Sequence, residues 1–391
     1  MRQRRIWRGM DMAIYVVQAR DNVDEIASGF GITAAEIIYA NQLIYPYRLA
    51  VGQALWLPFA QDETIFGRGI FSNGYAYPFI DTEVLADSLP YLSSLSIFSY
   101  GFTAGGYLLG PNLADEPLIA AAYEQGTRPI LTLTPFDEDG NFNNNLITQM
   151  LADAAARERL NRQLVQVMQQ KGYLGVDVDF EYIAAADRDK FTAWVGELAE
   201  VMHANGFTIS VALAPKTYAE QPGLLYEGQD YAALGALVDY VLLMTYEWGY
   251  TYSAPQPIAP LDWVRRVVEY AVTEIPPEKI DLGIANYAYD WTLPYVRGES
   301  KAESMGLVQA MQRAADVGAQ IFFDDQAYSP YYNYVLGGVQ HEVWFEDARS
   351  LSGKLALIDE FGLHGGGWWQ IMRLFRAGWL TLAASFYINK L

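Results

Sequence analysis

The chain has 391 residues, 52% of them hydrophobic and 14% aromatic, which supplies apolar mass for one large domain plus a small one and excludes a disordered chain. Acidic residues outnumber basic ones 46 to 26; the resulting charge of −20 argues against a nucleic-acid partner and leaves an anionic cell wall to be held by short-range contacts. Cysteine is absent, which excludes disulfides, thiol catalysis and zinc–thiolate sites, and His203, His341 and His364 are too scattered in sequence for a histidine-rich metal centre.

In chain order, residues 1–12 read as an N-terminal extension. Arg2, Arg4, Arg5 and Arg8 are basic like the start of a secretory signal, but the apolar run that follows is far too short for one, so no signal peptide is expected. Met10 or Met12 is an alternative start, with the leading stretch an upstream extension or a disordered tail. Near the other end, residues 379–388 are apolar but too short to span a bilayer, so no membrane span is expected.

Residues 13–59 read as strand, helix, helix, strand. Tyr15, Val16 and Val17 form a short β run, Asp21 or Asn22 caps a helix carrying Val23, Ile26 and Ala27, and Gly31 ends it. Thr33 and Glu36 make a capping box for a helix bearing Ile37, Ile38 and Ala40, and residues 55–58 supply the closing strand. The segments Tyr15 to Gln18, Phe30 to Thr33, Glu36 to Ile38, Ala40-Asn41, Val51 to Gln53 and Leu55 to Pro58 resemble a LysM domain. That resemblance implies a groove for N-acetylglucosamine chains of peptidoglycan or chitin, formed by Asp21, Asn22 and Val23 on one side and Leu43, Ile44 and Tyr45 on the other. Arg20 departs from the usual first-loop sequence, and a purely structural module is the alternative.

After a linker of Phe59, Ala60, Gln61 and Asp62, residues 67–391 alternate between strand-like and helical runs. The predicted strands are 74–77, 94–100, 129–134, 175–181, 208–214, 240–246, 280–285 and 366–370, with amphipathic helices at 151–171, 187–205 and 260–274. No Gly-rich phosphate loop follows the first strand, so the fold class is α/β, a (β/α)8 TIM barrel, with the small module in front. Roughly 80 residues separate the last two strands, and residues 286–350 read as a small α+β insertion, with a helix at 302–317 and strand-like runs at 320–323 and 342–345.

Within the fourth predicted strand, Asp177, Asp179 and Glu181 alternate with Val176, Val178, Phe180 and Tyr182. A period of two places all three acids on one strand face, neighbours roughly 6.5 Å apart. A half-exposed strand would show the same pattern, but in a barrel both faces are covered and the acids have only the lumen to face. Like charges brought together there cannot all ionise, so one acid holds a proton near neutral pH and becomes a candidate general acid.

Asp177, Asp179 and Glu181 fit the last three acids of Asp-x-x-Asp-x-Asp-x-Glu, the signature of glycoside hydrolase family 18, with Leu174 in place of the first. Met244 to Glu247 is similar to that family's Met-x-Tyr-Asp, with Glu247 for Asp, and residues 365–369 resemble the end of its eighth strand. Further stretches, 73–78, 96–102, 289–295 and 344–350, are similar to the bacterial spore peptidoglycan glucosaminidases of that family.

The resemblance implies a retaining mechanism in which Glu181 is the acid, the substrate's 2-acetamido oxygen replaces a second carboxylate, Asp179 orients the acetamido nitrogen, Asp177 supports Asp179, and Tyr246 bonds the acetamido oxygen. Trp369, or its neighbour Trp368, is implied as the floor of the sugar subsite, and Met244, Glu247 and Tyr100 as further substrate-binding residues. No metal or organic cofactor is expected, the partner is a peptidoglycan or chitin-like glycan, and a monomer is the expected state. Location at the spore coat, cortex or cell wall is implied by resemblance alone. Other readings are a chitin-oligomer hydrolase, a silent amino-sugar lectin on the same barrel, and a barrel hydrolase using the acids as Mg²⁺ or Ca²⁺ ligands.

Overall fold

The computed structural model describes residues 6–9, 12–58 and 67–391. The proposed linker at 59–62 and the alternative start at Met10 lie outside the described residues. Part of the stretch read as an extension is a strand: Ile6–Gly9 pairs antiparallel with Met12–Val16, which pairs in turn with Ala54–Leu57, so the small sheet has three strands where two were expected.

The module's helices follow from local chemistry. Asn22, and not Asp21, caps Val23–Phe30 by accepting from the Glu25 amide at 2.9 Å, while Asp21 accepts from the Tyr15 hydroxyl and the Gln18 amide. Gly31 closes that helix with φ +71°, where a side chain would be strained. Thr33 and Glu36 form the expected capping box on Ala34–Asn41.

Eight parallel strands close the barrel: Gly69–Ala76, Ser94–Phe102, Arg128–Leu133, Gly175–Val178, Thr208–Leu213, Tyr240–Leu243, Ile280–Ala285 and Gly365–Trp369. The first pairs with both the second and the eighth. The predicted helix at 151–171 is divided at Asp153 into Asn145–Ala152 and Ala154–Lys171, because the Asp153 side chain caps the second by accepting from the Ala155 amide. No described helix is long and apolar enough to cross a membrane.

Two strands are shorter than their sequence pattern. The fourth leaves its ladder after Val178 and the sixth after Leu243, and beyond them Tyr182 and Glu247 take left-handed backbone conformations with φ +51° and +63°. Non-glycine residues are uncommon there, and such strain gathers where side chains are aimed at a site.

Between the seventh and eighth strands lies an antiparallel sheet in the order Glu303–Met305, Ala288–Leu293, Val339–Trp344, Ser329–Leu336, Phe322–Asp324. Its helix is Leu307–Asp316, shorter than predicted because residues 303–305 join the sheet. Buried Asp290 knits the unit, accepting from Tyr334 and Arg313 and contacting His341 at 2.9 Å.

The small module docks on the barrel. Gln42 donates to the Leu374 carbonyl at 3.2 Å and accepts from the Arg376 amide at 2.6 Å, and the Arg376 guanidinium lies 4.0 Å from the Tyr39 ring centre. The Ile321 amide donates to the Val51 carbonyl at 2.8 Å, and Ile14, Ala40, Ala50, Ala54 and Trp56 join the barrel's core cluster. A side chain at Gly52, which has φ +87°, would meet the Ile321 carbonyl oxygen at 1.9 Å, so glycine permits this approach.

Candidate active site

Asp177, Asp179 and Glu181 rise in a column from the barrel interior to its C-terminal mouth, where barrel chemistry occurs. Asp177 is buried beside polar groups of the first and fifth strands, accepting from Tyr75 at 2.9 Å and Ser210 at 2.6 Å. Burial still pushes its pKa up, the two hydrogen bonds oppose this, and Asp281 adds to the rise. Asp179 is 8% exposed, its Oδ1 has no hydrogen-bond partner among the described residues, and burial, Glu181 and Asp177 together hold it well above the usual carboxylate range. Glu181 is pushed up to about 7, first by burial and then by the neighbouring charge of Glu247. A carboxyl poised there can give a proton near neutral pH and take one back.

A cleft of about 450 Å³ opens over the upper two acids. Tyr75, Tyr77, Phe98 and Trp369 form its aromatic floor, with the Trp369 ring centre 5.0 Å from Phe98 and 5.6 Å from Tyr75. Tyr182, Phe142 and Tyr250 stand partly exposed at its walls, an arrangement suited to stacking on sugar rings.

Tyr246, Met244 and Glu247 all line the cleft from the end of the sixth strand. Glycine at 283 makes room for Tyr246: a Cβ there would come within 2.8 Å of its ring. Burial, followed by the acids Asp179 and Glu181, keeps the Tyr246 hydroxyl protonated and able to donate. The protein packed around the Glu247 carboxyl raises its pKa, and the hydroxyls of Tyr289 and Tyr287 pull it back.

Two expected residues lie elsewhere. Trp368 is 1% exposed and packs against Trp379 at 4.5 Å between ring centres, because successive strand residues face opposite sides, so Trp369 alone of the pair floors the cleft. Tyr100 faces outward and donates to Asp115 at 2.6 Å, in a cluster with Tyr173 and Lys171, and has no place among the cleft residues. In the module, Val23 packs into the hydrophobic core, and Asp21 and Asn22 spend their side chains on Tyr15, Gln18 and the helix cap. Of that predicted groove, Leu43 is partly buried, while Ile44 and Tyr45 are exposed, the latter by 81%.

Four residues that position the site escaped the sequence reading: Tyr75, Ser210, Tyr287 and Tyr289. Tyr75 and Ser210 bond Asp177 across the barrel, while Tyr287 and Tyr289 from the insertion lower the Glu247 pKa, and no local spacing reports such long-range relations. Tyr75 and Tyr289 alone carried a signal, inside the stretches 73–78 and 289–295.

Comparison with known proteins agrees with this geometry. The family model described as Glycosyl hydrolases family 18 matches residues 140–373, and that of the LysM domain matches residues 15–58. The cortical fragment-lytic enzyme of Bacillus subtilis (strain 168) is 36% identical, over 97% of this chain and 99% of its own length. The crystal structure of the spore cortex-lytic enzyme SleL of Bacillus megaterium QM B1551 superposes with a TM-score of 0.90 at 29% identity, covering 97% of this chain and 99% of that one. A chitinase from Chromobacterium violaceum ATCC 12472 superposes with a TM-score of 0.75 at 25% identity, over 81% of this chain and 99% of its own. With an acid column at the mouth of a closed eight-stranded barrel and an N-terminal module of the LysM type, the chain belongs to family 18 of the glycosyl hydrolases.

Proposed function

We propose that this glycosidase hydrolyses β-1,4 N-acetylglucosaminide bonds in peptidoglycan, with spore-cortex fragments as its material, by a retaining, substrate-assisted route. The observation that carries the reading is Glu181, a carboxyl at the barrel mouth raised to about 7 above a buried Asp179 whose Oδ1 has no hydrogen-bond partner among the described residues. The likeness to cortex-lytic relatives along almost the whole chain favours cortex material over chitin, and location at the spore wall follows from the same likeness and from the LysM module.

Glu181 gives its proton to the glycosidic oxygen as the C1–O bond breaks, and the leaving sugar departs as an alcohol. The acetamido carbonyl oxygen bonds to C1 from the opposite face, giving an oxazolinium ion. Glu181, now a carboxylate, takes a proton from water, whose oxygen attacks C1 and expels the acetamido oxygen, so two inversions leave the configuration retained. Asp179 holds the acetamido N–H and its developing charge, Asp177 supports Asp179 from below, Tyr246 donates to the acetamido oxygen, and Trp369 packs on the sugar. Glu247 keeps Glu181 protonated by charge repulsion.

Mass spectrometry of products from cortex fragments and from chitin oligomers tests the substrate. Cleavage after N-acetylglucosamine in cortex fragments, faster than in chitin oligomers of equal length, is expected; the reverse preference would make this a chitin-oligomer hydrolase. Absence of turnover on both with glycan binding retained would make it a lectin.

A further inference from the structure

The exposed module loop that carries Ile44 faces the barrel's insertion across a groove of about 550 Å³. One side is Ile44; the other is the helix Leu307–Asp316, through Val308, Gln309 and Gln312, together with Leu374 and Arg373 from the loop after the eighth strand. The width of the groove is fixed by the docking contacts beside it, since Gln42, two residues before Ile44, is bonded to both Leu374 and Arg376.

Charges along the groove are unequally satisfied. Arg313 is held by Asp290 and Glu303, and Asp316 accepts from the Gln312 amide at 2.9 Å with Arg48 at 4.0 Å. Arg373, exposed at the groove, reaches only the Ser304 carbonyl, at 3.5 Å, and has no carboxylate in ion-pair contact among the described residues. Its charge acts on Glu303 through space with no ion pair between them, so the exposed guanidinium keeps donors free at the groove.

We propose that this groove is a composite subsite, shared by the module and the insertion, for an amino-sugar strand bearing peptide substituents, and that Arg373 binds a carboxylate of the peptide. The inference rests on the peptidoglycan reading above. Ile44, Val308 and Leu374 offer apolar surface to sugar faces, Gln309 offers its amide and Gln312 its side-chain carbonyl to hydroxyl and acetamido groups, and the planar guanidinium matches a carboxylate with two parallel hydrogen bonds. Chitin has no such carboxylate, so the subsite separates peptidoglycan from chitin at a distance from the acids.

The test is equilibrium binding of the full chain to four insoluble glycans: intact peptidoglycan, peptidoglycan with its carboxyls amidated, peptidoglycan stripped of peptides with the lactyl carboxyls thereby freed also amidated, and chitin. The parent protein should bind intact peptidoglycan about tenfold more tightly than the amidated or stripped forms, the size of one charge-assisted contact of about 1.4 kcal/mol. Arg373→Gln should bind intact peptidoglycan about tenfold more weakly and chitin unchanged, Arg373→Lys should recover part of the loss, and Gln309→Glu, which adds an anion to the same groove, should weaken binding independently. Equal binding by parent and Arg373→Gln to intact peptidoglycan, or equal parental binding to intact and stripped material, would overturn the inference. Parental turnover of soluble peptidoglycan fragments, followed in parallel, keeps the two readings apart: cleavage without carboxylate discrimination defeats the subsite alone, and no cleavage defeats the peptidoglycan reading.

Discussion

Tyr75 on the first barrel strand donates its hydroxyl to Asp177 on the fourth at 2.9 Å, crossing the lumen at the foot of the acid column. The bond lowers the pKa that burial raises in Asp177, so it favours the negative charge that in turn keeps Asp179 protonated. Tyr75→Phe should cost about 1–3 kcal/mol of stability, the usual penalty for leaving a buried acceptor short of a partner, and should lower kcat by roughly tenfold. Thermal melts and steady-state kinetics on the purified variant check both, and an unchanged kcat would detach Asp177 from the chemistry.

Glu247 raises the Glu181 pKa through its charge, second only to burial. Glu247→Gln should therefore move the high-pH limb of the kcat/KM profile, where the acid is lost, toward lower pH. A profile recorded from pH 4 to pH 9 reads this directly; a limb that stays in place or moves up would assign Glu247 to sugar contact alone.

Because the folded-state pKa of Glu181 is raised to about 7 from an ordinary 4.5, the unfolded chain gives up this proton more readily than the folded one. Stability linked to Glu181 is therefore fully present below about pH 4.5 and is lost as pH rises through about 7, a difference of about 3 kcal/mol. Glu181→Gln removes the ionisation, so the variant should unfold at higher denaturant than the parent at pH 8 and at about the same denaturant at pH 4. Equal midpoints at pH 8 would contradict the raised value.

The two adjacent tryptophans should respond differently. Trp369→Ala opens the cleft floor and should raise KM and depress kcat, whereas Trp368→Ala empties a core position against Trp379 and should cost about 3–5 kcal/mol of stability. Kinetics and chemical denaturation side by side separate them, and a catalytic loss confined to Trp368→Ala would reverse the assignment.

The acid column, the barrel and the insertion were legible because each is written locally: alternation gives Asp177, Asp179 and Glu181 one face, and recurring strand and helix periods give the closed barrel. The strand ends were less so. Residues 179–181 and 244–246 keep the alternation of a strand after the ladder has ended, since left-handed backbone at Tyr182 and Glu247 is a tertiary demand that the pattern does not carry. Tyr100 and Trp368 show the matching failure, because resemblance gives a segment while the pleat decides which face each residue takes. The docking of the module through Gln42, Gly52 and Arg376 joins residues hundreds of positions apart and left no sequence signal.

The central claim is that Glu181 works with the substrate's own acetamido group. Its most direct test compares kcat/KM on a soluble N-acetylglucosaminide fragment and on the same fragment with that sugar de-N-acetylated. The account predicts a loss of at least about 1000-fold, since the internal nucleophile and its high effective concentration disappear together. Turnover of the de-N-acetylated fragment within about tenfold of the parent substrate would contradict it and require a nucleophile from the protein.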